Sequence, residues 1–511
     1  MRNLRYVAAT LGLLLPLLAA PGLAQGAPED YTGVGGKATC LADSNAVKID
    51  KGLSLDGTGG WPTDCVNCIS HALQVTAVSV VGDVGQPPAK PEWSLRHALT
   101  EIGGSRGPGT ALHDFLGTML VEQSINGFGV APRPDIQTVL LDPWQAAAGV
   151  ATFEALVDVL DGKQGAPAAA AAWNAAPFKL VSIGYRPDLV RPDFEGGRIN
   201  AGGEGRLIFQ AITGTEFEAM LIIFEYTLPA RNTTELVDWT RKYDALRQMP
   251  FGPAYNDALA TITRKFTDRN PKYAVPNNIT LGQLRTNELI SFNGVNAEQW
   301  ELREFRISHA GRLEPSAVQM NPGINFNDDP DRAALLRYLA SPEFTGTFPN
   351  TSVPWNFEGR PFLAGASHTL FPFVANSGPV DTWLKGAGGI SESERQRFAS
   401  TTCNGCHGGD APRGVAFPGK EAILNPDGFF LTGFTHVDAR GAAPGRVTDT
   451  ILSDFMCQSD LVARTAAFEL FRNSPEAIEE LLFPVGPVES SLSEEDQVGA
   501  AVVVQNLARV H

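Results

Sequence analysis

Long apolar runs are scarce in this chain. Outside residues 8–23 no stretch reaches the ~18 apolar residues that a membrane-spanning helix needs. Charge is sparse too, at 19% of residues, and the positive sign is the scarcer: 40 Lys+Arg against 56 Asp+Glu, for a net charge of −16. A chain with this deficit lacks the basic footprint for binding nucleic acid or an anionic membrane surface. Six cysteines in 511 residues are too few for a small disulfide scaffold. Walker and H-E-x-x-H signatures are missing, which removes the P-loop and zincin readings. The chain does have 43% apolar residues, 52 Gly, 36 Pro and 9% aromatics. That is enough to bury sizeable cores and fits a loop-rich, partly β protein. The length suggests two to four domains.

Residues 1–24 read as a secretory signal peptide. Arg2 and Arg5 precede the apolar segment Ala8–Leu23, and Gly22-Leu23-Ala24 is a small-residue cleavage site. Pro16 and Pro21 break the run, which disfavours a membrane anchor. The expectation is an exported chain, periplasmic or secreted, with no stable membrane insertion. Loss of Arg2 and Arg5 takes the net charge to −18.

The patterns along the chain predict an α+β protein: a mixed α/β N-terminal and central region followed by a mainly helical, cytochrome c-like C-terminal segment. Residues 25–165 read as an N-terminal helical or irregular region, with a helical face over Ala111–Val121. Residues 161–177 are small and low in complexity, and read as a linker or surface excursion. A mixed α/β central domain is expected over 178–385. Its strands are expected at Phe178–Ile183, Arg206–Ile212 and Phe217–Leu228, with helices near 234–248 and 253–267. A hairpin is expected around His309–Arg312 and a helix over Asp329–Leu339. In the last segment, 386–511, helices are expected over Ser391–Thr401, Asp449–Phe471 and Glu494–Leu507.

Cys403-Asn404-Gly405-Cys406-His407 is the C-x-x-C-H attachment signature of c-type haem. Two thiols add across the two vinyl groups of one porphyrin, and the next residue, His407, turns beneath the ring to ligate iron. Gly405, Gly408 and Gly409 permit close backbone approach. Such attachment follows export, in keeping with the signal peptide. The expected cofactor is one covalent haem c per chain. A redox disulfide or a small zinc site is the alternative use of the same residues. The distal position has two candidates after His407, His436 and Met456, or is left open or filled from upstream. Leu452 and Met456 at i, i+4 also read as an ordinary core face. Cys40, Cys65, Cys68 and Cys457 remain, an even number with three pairings. Cys65-Val66-Asn67-Cys68 lacks the following histidine and reads as a disulfide pair.

Glu204, Arg206, Arg285, Glu288, Arg303 and Glu304 lie in otherwise apolar surroundings. Buried charges persist only when paired. They therefore form either an internal ion-pair network or a polar pocket beside the haem segment. Asn325–Asp331 is oxygen-rich and reads as an acidic turn; Ca²⁺ is a weaker reading, because EF-hand spacing is lacking.

Several segments together resemble an uncharacterised family of large exported proteins of myxobacteria and other proteobacteria. They are Arg186-Pro187-Asp188-Leu189, Ala201-Gly202-Gly203-Glu204-Gly205-Arg206, Arg285-Thr286-Asn287-Glu288, Trp300–Phe305, Thr402–Gly408 and Phe434-Thr435-His436. The resemblance covers roughly 90–511 and implies chain-wide unity rather than any activity. It implies His436 rather than Met456 as the shared distal ligand.

The functional expectation is an exported mono-haem c-type protein that transfers electrons to a redox partner in the cell envelope. Residues 386–511 hold 17 acidic and 9 basic side chains, so a basic partner is the one their charge favours. A haem-dependent oxidoreductase, peroxidase-like or electron-relaying, is the enzymatic version. A non-catalytic exported binding or structural protein is the alternative, with the C-x-x-C-H as a disulfide or metal site.

Overall fold

The computed structural model describes residues 72–473, apart from the segments 83–85, 194–197, 289–298, 345–352, 371–382, 385–388, 406–436, 439–450 and 453–459 and a few shorter gaps. Its centre is a nine-stranded antiparallel sheet. The strands are β1 (Gln74–Val75), β4 (Phe178–Asp193), β5 (Arg198–Thr213), β6 (Glu216–Thr227), β7 (Leu281–Glu288), β8 (Gln299–Leu302), β9 (Glu304–Ile307), β10 (Leu313–Ser316) and β13 (Ser367–Leu370). They run in the order β1-β4-β5-β6-β7-β8-β13, with β9 also on β7 and β10 on β9. Two-stranded pairs flank it: β2–β3 (Gln123–Ile125, Phe128–Val130), β11–β12 (Asn356–Phe357, Arg360–Pro361) and β14–β15 (Val437–Asp438, Ile451–Leu452). Helices and a large antiparallel sheet together make the protein α+β, as the patterns predict.

Alternation along β5, β6 and β7 gives the sheet one apolar face and one charged face. Leu207, Phe209, Phe224, Tyr226, Leu284 and Phe305 are buried on the apolar side. Against that side pack α6 (Thr233–Arg247) and α7 (Pro253–Thr267), as expected for 234–248 and 253–267. Tyr243 of α6 stacks on Tyr185 with centroids 4.0 Å apart, and Phe266 of α7 meets Tyr226 at 5.5 Å. A helical layer from earlier in the chain joins the same core. It comprises α1 (Leu95–Gly103), α2 (Pro108–Leu112), α3 (Asp142–Ala147), α4 (Phe153–Leu160) and α5 (Ala166–Asn174). Its Phe115 meets Phe305 edge-on at 4.9 Å.

The glycines of Ala201–Arg206 have steric causes. Gly203 has φ +106°, and a Cβ there would lie 2.5 Å from the Arg186 carbonyl oxygen. A Cβ on Gly205 would lie 2.6 Å from the Phe266 ring. Both are positions where only glycine lets the strand bend and α7 approach.

Two sequence expectations are corrected. Residues 161–177 are not a linker or excursion: α5 spans Ala166–Asn174, with Pro167 in its first turn. Trp173 anchors it, its Nε1 donating to the Leu160 carbonyl at 3.1 Å and its ring meeting Trp144 at 5.8 Å. One large buried side chain outweighs a low-complexity alanine background. The helix expected over Asp449–Phe471 begins only at Leu461, as α9 (Leu461–Asn473). Ile451 and Leu452 are instead in β15, paired with Asp438 and Val437. The β-branched Ile451 favours extended backbone there. Leu452 is therefore in a strand, and Met456 lies outside the described residues. The hairpin forms between β9 and β10, and the helix expected over Asp329–Leu339 is α8 (Arg332–Leu339). Residues 1–24 and Glu494–Leu507 lie outside the described residues.

Candidate functional site

The charged face of the sheet is built by strand register. Arg206 lies opposite Glu225, Glu225 opposite Gln283, and Arg285 opposite Glu304. Arg206 contacts Glu204 at 2.5 Å and Glu225 at 3.0 Å. Arg285 contacts Glu304 at 3.1 Å and Glu225 at 3.6 Å. Gln283 Nε2 donates to Glu225 at 2.5 Å, and Arg306 reaches Glu304 at 2.7 Å. The signs alternate across the strands, so each carboxylate meets a cation. The Glu225 carboxyl is buried, yet Arg206 and Arg285 hold it below the ordinary carboxylate range.

A second cluster sits where β7, β8 and the helical layer meet. Here Glu288 and Glu301 are direct cross-strand partners. Arg133 bridges them, at 3.0 Å to Glu288 and 2.6 Å to Glu301, and Arg303 adds a contact to Glu301 at 2.5 Å. Burial first, and the Glu301 charge second among the raising causes, push the Glu288 carboxyl up to about 7. A third cluster ties α9 to the sheet. Arg186 pairs with Asp188 at 2.7 Å and with Asp460 at 3.0 Å, and Arg464 pairs with Asp460 at 2.5 Å. Arg464 also donates to Gln74 at 2.7 Å. Burial lowers the Arg464 guanidinium to about 10, still charged at neutral pH. All six charged residues singled out in the sequence are thus buried and ion-paired.

The first cysteine of the C-x-x-C-H motif belongs to the surroundings of the first cluster. Cys403–Gly405 form a helical turn, and Cys403 is a free, buried cysteine. Burial pushes its thiol up to about 11; Arg285 opposes this, and Glu304 and Glu225 add to it. The turn is held from several directions. Asn404 N–H donates to Asn321 Oδ1 at 3.0 Å, and the Asn404 side chain is bonded to Ser367 of β13. Gly405 N–H donates to Thr402 Oγ1 at 3.0 Å, and Thr402 also accepts from Trp383 Nε1 at 2.7 Å. The Gln319 N–H donates to Glu304 at 3.2 Å, so the segment that supplies Asn321 is itself fixed to the charged face. A Cβ on Gly405 would lie 2.1 Å from the Ala399 carbonyl oxygen, the close approach the motif glycine allows. Phe398 enters a second aromatic core, with Trp383 at 5.4 Å, Phe344 at 5.7 Å and Tyr338 at 6.4 Å.

Cys406, His407, His436 and Met456 lie outside the described residues, as do Cys40, Cys65, Cys68 and Cys457. In the acidic segment 325–331, the Asp331 carboxylate accepts from Asn325 at 2.6 Å and from Arg360 at 2.5 Å, and it is held low by both. Among the described residues no group of three or more His, Cys, Asp or Glu converges as a metal site, and no helix is long and apolar enough to cross a membrane. The anchors Asn321, Ser367 and Thr402 were not legible in the sequence, since no spacing links them to the motif.

No family model matches the chain, and no curated protein or solved structure is similar to it.

Proposed function

We propose that this is an exported protein carrying one covalent haem c, held through Cys403 and Cys406 with His407 as proximal iron ligand. The observation that carries the reading is the C-x-x-C-H pattern behind an export signal. Its first cysteine lies on a helical turn. Continued as a helix, the turn puts positions i, i+3 and i+4 on one side, as two thioethers and an axial imidazole require. Cys403, Asn404 and Gly405 form that helical turn and are buried. Their hydrogen bonds to Asn321 and Ser367 would seat the attachment point rigidly against the sheet. His436, Met456 or an open site completes the iron. Bound haem supplies a one-electron couple. Burial pushes the Cys403 thiol up to about 11, which disfavours its thiolate in the folded chain.

The role proposed is electron transfer with a basic partner in the envelope. A haem-dependent oxidoreductase is its enzymatic variant, motivated by the several hundred residues before the motif. The test is expression with haem maturation machinery, followed by denaturation. Haem that stays with the polypeptide, and is lost in C403A/C406A, is the expected result; haem that washes away ends the proposal. A low-spin spectrum in both oxidation states without reaction toward peroxide marks the carrier role, and an open sixth position marks the enzyme.

The burial of Cys403 also favours a second reading, a binding or structural protein in which the motif is a cross-link or metal site. A C403A/C406A variant that folds and retains ligand binding supports it over the first.

A further inference from the structure

The helical layer carries an open cleft of about 600 Å³, away from the C-x-x-C-H motif in sequence and lined by none of the motif's described residues. Four separate segments build it: the π-turn after α2 with the residues to Val121, the 137–145 helical stretch, the start of α4, and the tip of the β9–β10 hairpin. Ion pairs hold the hairpin tip against the layer. Asp114, buried, takes Arg106 at 2.5 Å and Arg312 at 3.4 Å, and Arg106 also donates to the Gly311 carbonyl at 2.8 Å. One wall is a ring pair, His113 stacked on Phe153 with centroids 5.3 Å apart and planes 25° from parallel. Gln145 lines the cleft at only 4% exposure, and its Nε2 has no hydrogen-bond partner. A buried amide donor left unmatched costs about 1–3 kcal/mol, and a ligand oxygen would recover that. Asp142 and Glu154 add exposed carboxylates, against Arg312 as the one Lys or Arg of the lining.

These groups select a ligand class. The acidic excess disfavours phosphates and carboxylates. The buried amide N–H needs an acceptor, which a simple ammonium ion lacks; Asp142 already accepts from Gln137 at 2.5 Å, whereas the exposed Glu154 carboxylate can accept from a ligand hydroxyl. A neutral polyhydroxylated ring satisfies both, with hydroxyls that donate and accept, and its C–H face suits the aromatic wall. We propose that this cleft binds a neutral saccharide of one or two rings, with Gln145 donating to a ring or hydroxyl oxygen and Glu154 accepting from a hydroxyl. The inference does not depend on haem.

The test is saturation-transfer NMR and calorimetric titration of the full chain with D-glucose, D-galactose, N-acetylglucosamine and cellobiose, alongside inorganic phosphate and putrescine. At least one saccharide is expected to bind, with affinity reduced about tenfold or more by Gln145→Leu and by Glu154→Gln. Gln145→Leu removes an unmatched buried amide and is expected to keep its melting temperature. Should it fail to fold, the exposed Glu154→Gln carries the comparison alone. Absence of binding by all four sugars overturns the proposal. So does sugar binding that neither variant weakens, or displacement of the sugar by phosphate or putrescine.

Discussion

Two buried charge clusters share one sheet and differ in how register orders their signs. In the Arg206–Glu225–Arg285–Glu304 ladder a cation faces an anion across the strands, and Glu225 is held low despite its burial. In the Arg133–Glu288–Glu301–Arg303 cluster two carboxylates face each other, and Glu288 is pushed up to about 7. Composition is nearly the same in the two clusters. Which residue stands opposite which decides whether a buried carboxylate is locked as an anion or poised to take a proton.

Breaking the alternating ladder should have the largest effect. Arg285→Ala leaves Glu304 and Glu225 short of a buried cation and is expected to cost about 3–5 kcal/mol in chemical denaturation. A loss below ~1 kcal/mol would mean that the face is wetter than its burial indicates. Next comes pH. A carboxyl whose folded value exceeds its unfolded 4.5 binds more protons folded than unfolded between about 4.5 and 7. It therefore favours folding at low pH and costs stability as pH rises through that window, by roughly 3 kcal/mol in all. Glu288→Gln should flatten that part of the stability–pH curve; an unchanged slope would assign it to another group. A smaller loss, about 1–3 kcal/mol, is expected for Gly205→Ala, whose methyl group meets Phe266, read as a lower denaturation midpoint. The smallest effect belongs to the exposed Arg337–Glu358 pair at 2.6 Å, where Arg337→Ala should leave the melting temperature unchanged. A clear drop there would erase the contrast between buried and surface pairs.

Much of the fold is legible because it is local. The strands 178–183 and 217–228 and the helices near 234–248 and 253–267 announce themselves by residue type and period. Their full lengths do not: β4 and β5 each run for 16 residues, continuing through charged positions that only a buried, paired partner permits. Residues 161–177 misled because alanine content hides the anchoring of Trp173 by the Leu160 carbonyl. The helix expected from Asp449 misled because the pairing of Ile451 and Leu452 with Asp438 and Val437 lies beyond any helical window.

By itself the sequence determined the C-x-x-C-H spacing and the need to pair six charges in apolar strands. These are properties of neighbours along the chain, or of composition. Tertiary structure alone decided which charges pair, that Cys403 sits on a turn held by Asn321 and Ser367, and that His113, Gln145, Phe153 and Arg312 meet around one cleft. Each of these is a contact between segments far apart in sequence. Strand register and side-chain packing, rather than local propensity, bring such segments together.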